Sequence, residues 1–266
     1  MGKKLGPKVL TLDIETWPYV VKAWQMGEGY TRHDRIVKDR AIACVAAKWR
    51  GEKEVLFFST EGQRDLRNDK KVVASIKGLV AKADVLVTQN GKRFDIPIIR
   101  GRCSVLGLGD LEKPKHYDTC QMARQLGLPS ARLDYLTATY APHVRKLNHK
   151  EFPGDTLWDE CELGNKRAWK EMEAYNKQDV LGTEAVFEAI APYFSIDFSV
   201  FHEGLERVCV CGSTEWVFNG FSYNASGKFR RFKCKKCRAN FTESGAANNL
   251  LSKDKRDSLK ALKGER

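Results

Sequence analysis

The 266-residue chain carries a formal net charge of +12, with 42% hydrophobic and 30% charged side chains, a balance that gives a globular core and excludes disorder over most of its length. The longest unbroken apolar run is the seven-residue stretch Ala41–Ala47, well short of the roughly 20 residues that span a bilayer, so no membrane partner is expected. The basic excess favours a polyanion such as nucleic acid, because clustered Lys and Arg release counterions when they neutralise phosphates.

The opening MGKKLGPK has no apolar segment behind it, which argues against a secretory signal and for a cytoplasmic protein. A strand is expected over Val9–Ile14. Its alternation sends Leu10, Leu12 and Ile14 to one face and Thr11, Asp13 and Glu15 to the other. Asp13 and Glu15 then project together; carboxylates so close repel and raise each other's pKa unless a cation neutralises them. A divalent metal is one solution; a solvated strand face is the other.

Further strands are expected over Ile42–Trp49, Val55–Phe58 and Val85–Thr88, and helices over Val72–Lys82, Ile96–Leu106, Leu133–Tyr140 and Lys166–Ala191. This alternation implies an α/β domain with a mixed sheet. In TQNGKRFDIPII the strand runs into Asn90 and Gly91, and Asp95 opens a helix that tolerates proline in its first turn, as an ordinary N-cap or as a metal ligand. In EAYNKQDVLGTEAVF, Tyr175 and Asp179 lie four apart, so hydroxyl and carboxylate share one helix face.

Of eight cysteines, Cys44, Cys103, Cys120 and Cys161 are scattered and read as reduced core thiols. Around Pro192–Phe201 the pattern changes. The larger α/β domain is assigned to residues 1–195, a small cysteine-bearing module to 203–245 and a charged tail to 246–266. The module spaces its thiols as Cys209-x-Cys211, 22 residues, then Cys234-x-x-Cys237, a pattern suited to one structural zinc with four thiolates. One residue instead of two separates the first pair; His202 is the alternative ligand. Glu215–Tyr223 and Lys228–Lys233 are expected to form a hairpin around Asn224–Gly227, with Trp216, Phe218, Phe221, Phe229 and Phe232 as its small core or, for one or two of them, as base-stacking rings. Between Arg207 and Arg238 eight basic residues face a single acid, Glu215. Lys228, Arg230, Arg231, Lys233, Lys235 and Lys236 are therefore candidate nucleic-acid contacts.

The order D-x-E on the first strand, N-x-x-x-F-D near the middle and Y-x-x-x-D on a late helix resembles the DEDD exonuclease superfamily, in its tyrosine-bearing DEDDy branch. The resemblance covers Val9 to about Pro192. YDTCQMARQLGLPSARLDYLTATY and KLNHKEFPGDTLWDECELGNKRAWKEMEAYNKQDV look like the family's connecting segments, the latter as in phage-borne stand-alone members. The histidine branch expects H-x-x-x-x-D, and Ala174 stands five before Asp179. The cysteine module resembles zinc ribbons found in transposition proteins and at the ends of some phage nucleases.

The resemblance implies an RNase H-like fold, a mixed central sheet flanked by helices, plus the ribbon. It implies a 3′-to-5′ exonuclease using two Mg²⁺ or Mn²⁺ held by Asp13, Glu15, Asp95 and Asp179, with Asp13 bridging and Tyr175 orienting the attacking water. The hard oxygen ligands agree with those metals. Asn90, Lys92 and Arg93 are candidate substrate contacts; Asp118, Asp134, Asp155 and Asp159 are rival acids expected to be structural. Single-stranded DNA is the favoured substrate and RNA the alternative, with a structure-directed endonuclease or a non-catalytic nucleic-acid-binding protein as further readings. A replication or recombination complex would be the partner, in a bacterial cytoplasm if the chain is phage-borne.

Overall fold

The computed structural model describes residues 6–23, 31–144, 151–201, 207–224 and 227–242. These divide into two compact units, one over Pro7–Ala189 and one from Ile190 onward.

The first unit is built on a five-stranded sheet with β1 (Val9–Trp17) at its centre. On one side β1 pairs antiparallel with β4 (Ala41–Trp49), which pairs antiparallel with β5 (Leu56–Ser59). On the other it pairs parallel with β6 (Val85–Thr88), which pairs parallel with β7 (Lys115–Asp118). A separate two-stranded ribbon joins β2 (Val20–Val21) and β3 (Ile36–Lys38). Helices α1 (Lys70–Val80), α2 (Asp95–Val105), α3 (Thr119–Gln125), α4 (Leu133–Tyr140), α5 (Thr156–Glu162) and α6 (Lys166–Ile190) complete the unit.

Alternation along β1 decides the layering. Leu10, Leu12 and Ile14 pack with Ile42, Val45, Val72, Ile76 and Ile99, so one sheet face is sealed by α1 and α2. Trp17 joins Ala43, Cys44, Leu157, Trp169 and Met172 on the opposite face, under α5 and α6. Asp13 and Glu15 share that second face, and so point toward α6. A bulge opposite Glu15 and Thr16 puts Ala43 and Cys44 in the same core cluster without disturbing the alternation of β1.

The strand β1 runs three residues past the expected Ile14, because Trp17 is buried and its indole Nε1 donates to Leu66 O at 2.9 Å. Helix α1 starts at Lys70, two residues early, and α2 starts at Asp95 itself. The short elements β7, α3, α5 and β2–β3 carried too little periodicity to be expected; β7 reads KHYD, with no apolar alternation.

A fully buried carboxylate ties the helical layer to the sheet. Asp69 accepts two bonds from Arg102, at 2.8 Å from Nε and 2.7 Å from Nη2, and a third from the Ile42 amide at 2.8 Å. No helix among the described residues is long and apolar enough to cross a membrane.

In the second unit, β8 (Trp216–Asn224), β9 (Gly227–Cys234) and β10 (Asn240–Thr242) form an antiparallel sheet ordered β10-β9-β8. Its small core is Trp216, Phe232 and Phe241, with the Arg207 guanidinium 4.3 Å from the Phe232 ring centre. The expected core of five aromatics needs correction, for Phe218 and Phe221 are exposed. The reason is that β10 pairs only with residues 231–233 of β9, so it does not extend over the same face toward the turn. His202 lies outside the described residues.

Candidate metal centre and its cavity

The acid cluster is assembled by two periodicities. Period two on β1 sets Asp13 and Glu15 side by side, and the four-residue spacing on α6 sets Tyr175 above Asp179. One carboxylate oxygen from each of Asp13, Glu15 and Asp179 lies within 4.8 Å of the others. They line an open cavity of about 350 Å³ together with Asn90, Asp95 and Tyr175.

Asp95 shares the cavity wall but not the three-carboxylate cluster. Its Oδ1 accepts the Ile14 amide at 3.1 Å, between the two acids of β1, and burial pushes its carboxyl up to about 7 against the pull of backbone N–H groups. The N-cap position belongs to Phe94, so Asp95 is not a cap.

The field of the cluster is visible on its neighbours. Burial first, then the charges of Asp179, Glu15 and Asp13, and a hydrogen bond with Asp179 raise the Tyr175 phenol far above its ordinary value. Burial and the charges of Glu15 and Asp13 likewise push the Cys44 thiol up. Concentrated negative charge with hard oxygen donors and half-buried Asp13 and Glu15 fits divalent Mg²⁺ or Mn²⁺. Trp158 meets the Tyr175 ring edge to face at 6.5 Å.

Asn176 escaped the sequence reading. Fully buried on α6, it donates from Nδ2 to Asp13 Oδ2 at 2.7 Å and to the Asp13 carbonyl at 3.2 Å. Cys44 Sγ approaches its Oδ1 at 3.8 Å. Because Cys44 stays protonated it can donate only toward the amide oxygen, which turns the NH₂ group toward Asp13. Nothing in the sequence signalled this, since Asn176 sits outside the Tyr175–Asp179 stripe.

The loop between β6 and α2 is held by Asp118. Its carboxylate accepts the amides of Asn90 at 2.9 Å and Lys92 at 3.0 Å, and caps α3 through Cys120 and Gln121. Asn90 adopts φ 62°, a left-handed conformation that asparagine tolerates. Gly91 packs on Thr88, where an added Cβ would lie 2.3 Å from Oγ1. Lys92 and Arg93 are exposed and do not line the cavity; Lys92 Nζ donates to Gln121 Oε1 at 3.1 Å. Gln89, Phe94, Arg132 and Asp134 do line it. Asp134 is exposed and pairs with Arg132 at 3.4 Å, while Asp155 and Asp159 are exposed and off the cavity.

In the second unit all four thiols converge. Cys209 Sγ lies 3.5 Å from Cys237 Sγ, and Cys211 Sγ 3.8 Å from Cys234 Sγ, with all four sulfurs within 4.8 Å of one another. A tetrahedral ion with metal–sulfur bonds of about 2.3 Å needs sulfurs about 3.8 Å apart, so the set fits zinc. The short C-x-C pair closes because the chain turns at once: Gly212 N donates to Cys209 O at 2.8 Å with Gly212 at φ +80°. Burial raises the Cys234 thiol, but the amides of Cys237 and Lys236 and the sulfurs of Cys209 and Cys211 outweigh it and lower it to about 7. Among the candidate contacts of the module, Lys228, Arg230, Arg231, Lys235 and Lys236 are exposed, and Lys233 is half-buried.

The sequence matches no curated protein. Among solved structures it is similar to the family B DNA polymerase from the hyperthermophilic archaeon Pyrobaculum calidifontis, at 20% identity and a TM-score of 0.49, covering 70% of this chain and 25% of the polymerase. The chain thus spans a quarter of that protein's length. A family model described as the RNase_H superfamily matches residues 37–191, which is 155 of the 266 residues and begins after the strand that carries Asp13 and Glu15. With the mixed sheet and its flanking helices, this identifies the chain as a member of the RNase_H superfamily, with an RNase H-like nuclease fold.

Proposed function

We propose that the protein is a metal-dependent 3′-to-5′ exonuclease of the DEDDy type acting on single-stranded DNA. The observation that carries this reading is the convergence of Asp13, Glu15 and Asp179 within 4.8 Å at a cavity that Tyr175 and Asp95 also line. An RNase H-like nuclease fold in a basic chain agrees with a nucleic-acid substrate.

Asp13, Glu15 and Asp179 would hold two Mg²⁺ or Mn²⁺, with Asp95 as the fourth carboxylate. Such a pair supplies an activated water nucleophile and charge stabilisation at the leaving oxygen. The chain's own groups do the positioning. Asn176 fixes the rotamer of Asp13. Tyr175, kept protonated, gives its one O–H to Asp179 and would orient the attacking water through its phenolic oxygen without acting as a base. Asn90, held on its loop by Asp118, lines the cavity and would contact the substrate there. The four cysteines hold one structural zinc that takes no part in the chemistry.

The test is a set of 5′-labelled single-stranded DNA, duplex DNA and RNA incubated with Mg²⁺ or Mn²⁺, beside an Asp13→Ala control. The expected result is a ladder shortening from the 3′ end of single-stranded DNA that the control abolishes. Cleavage that survives the substitution overturns the reading; a ladder on RNA alone replaces the substrate, and internal cuts replace the polarity.

A further inference from the structure

We propose that the hairpin of the cysteine-bearing unit is a base-stacking platform for single-stranded DNA, formed by the exposed rings of Phe218, Phe221 and Tyr223. The choice of DNA rests on the nuclease reading above; the aromatic and cationic character of the surface does not.

Strict alternation along a strand would send Phe218 and Phe221, three apart, to opposite faces. The bulge changes this. Phe218 pairs with Phe232 and Phe221 with Arg230, so three steps on β8 match two on β9. The extra residue returns Phe221, and with it Tyr223, to the face of Phe218. Gly220 supplies the positive φ that the bulge needs, and Arg231 Nε donates to the Asn219 carbonyl at 2.9 Å and holds it in place.

One face therefore has two parts. Near the cysteines, Trp216, Phe232 and Phe241 form a packed core where β10 pairs with residues 231–233 of β9. Toward the turn the rings emerge: Phe218 is 56% exposed, Phe221 41% and Tyr223 69%. Phe218 and Phe221 meet edge to face at 5.3 Å, which fixes both rings.

Cations frame these rings. Lys228 Nζ lies 3.8 Å from the Phe221 ring centre and 5.7 Å from that of Tyr223, and the exposed Arg230 stands opposite Phe221. An occupant must offer flat unpaired π-faces and regular negative charge together. Single-stranded nucleic acid does so, because each nucleotide brings a base to stack and a phosphate to neutralise. Duplex DNA hides its base faces, and an apolar protein surface would leave the cations unmatched.

The test uses the full chain carrying Asp13→Asn to prevent cleavage, with binding to a 5′-fluorescein 20-mer of oligothymidylate read by anisotropy. Phe221→Ala and Tyr223→Ala should each weaken binding by roughly fivefold or more, as loss of a stacked base does. Phe221→Trp and Tyr223→Trp keep a π-face and should retain affinity, which separates stacking from damage to the hairpin. An abasic 20-mer should bind the unsubstituted hairpin as weakly as the alanine variants bind oligothymidylate. Losses below fivefold on alanine substitution, or equal affinity for the abasic strand, overturn the proposal. So does a loss confined to oligouridylate RNA. Cleavage is read separately on chains with Asp13 intact: unchanged binding with normal cleavage sinks the platform alone, whereas ring-dependent binding without Mg²⁺-dependent cleavage sinks the nuclease reading alone.

Discussion

Asn176 Nδ2 donates to Asp13 twice, to the carboxylate Oδ2 at 2.7 Å and to the backbone carbonyl at 3.2 Å. A buried residue of α6 thus fixes both the rotamer and the strand position of one of the three clustered acids. Partners that orient a ligand in this way typically contribute about 10- to 100-fold to metal affinity or activity. Asn176→Ala is expected to lower cleavage within that range and to raise the Mg²⁺ concentration for half-maximal rate. A metal titration at fixed substrate checks it; an unchanged midpoint would assign Asn176 to packing alone.

Tyr175 differs because its phenol is itself in the cavity. Its ordinary pKa is about 10, and burial with the neighbouring carboxylates pushes it higher. Tyr175→Phe should therefore lose activity, by roughly 10-fold or more, through a factor that is constant from pH 6 to pH 8. Rate profiles of the two proteins give the ratio directly. A ratio that grows with pH would mean that the phenolate is the working form.

The sequence made these acids legible for a geometric reason. Period two on a strand and a spacing of four on a helix fix directions locally, so Asp13 with Glu15 and Tyr175 with Asp179 could be paired before any fold was drawn, while joining the two pairs into one site rested on the resemblance to the DEDD exonucleases. The mixed sheet followed from similar local signals. Asn176 could not be found that way, because its contact joins residues 163 positions apart and depends on how α6 is rotated over the sheet. The four-acid site was only partly legible: the carboxylates of Asp13, Glu15 and Asp179 cluster, while Asp95 turns its Oδ1 to the Ile14 amide. The hairpin aromatics stayed open between core and base-stacking rings, because which of them are covered depends on β10, a strand that pairs with β9 only over residues 231–233.

His116 gives a stability prediction with a definite sign. Burial, then the nearby Lys92 charge, lowers its pKa from about 6.5 to about 4, against a smaller opposing pull from Asp118. Between those values the unfolded chain binds a proton that the folded chain refuses, so stability present above pH 6.5 falls as pH drops toward 4. The loss reaches about 3 kcal/mol. His116→Gln, which can still bond Thr88 Oγ1, the partner of His116 Nε2 at 2.8 Å, should lose correspondingly less. Urea unfolding at pH 7 and pH 4.5 compares the two; identical losses would contradict the buried neutral imidazole.

The four-thiol cluster predicts one tightly held zinc per chain. Mercurial titration of the thiols should release one equivalent, and Cys211→Ser should lower the zinc content, since that residue belongs to the short pair. Zinc should protect the hairpin from proteolysis, because a structural site contributes its binding free energy to folding. Full zinc occupancy in Cys211→Ser would replace the four-cysteine site with a three-cysteine one.

The buried pair Asp69–Arg102 is expected to be the costliest polar contact to break in the first unit. Asp69 is fully enclosed, and its three accepted bonds come from Arg102 and the Ile42 amide. Arg102→Ala leaves that carboxylate buried with one backbone donor, a loss of about 3–5 kcal/mol. Asp69→Asn removes the charge but keeps an acceptor for Ile42, and should cost less. Urea midpoints rank the two variants, and the order decides the cause. If Asp69→Asn were the more damaging, the guanidinium and not the carboxylate would be the group that burial penalises.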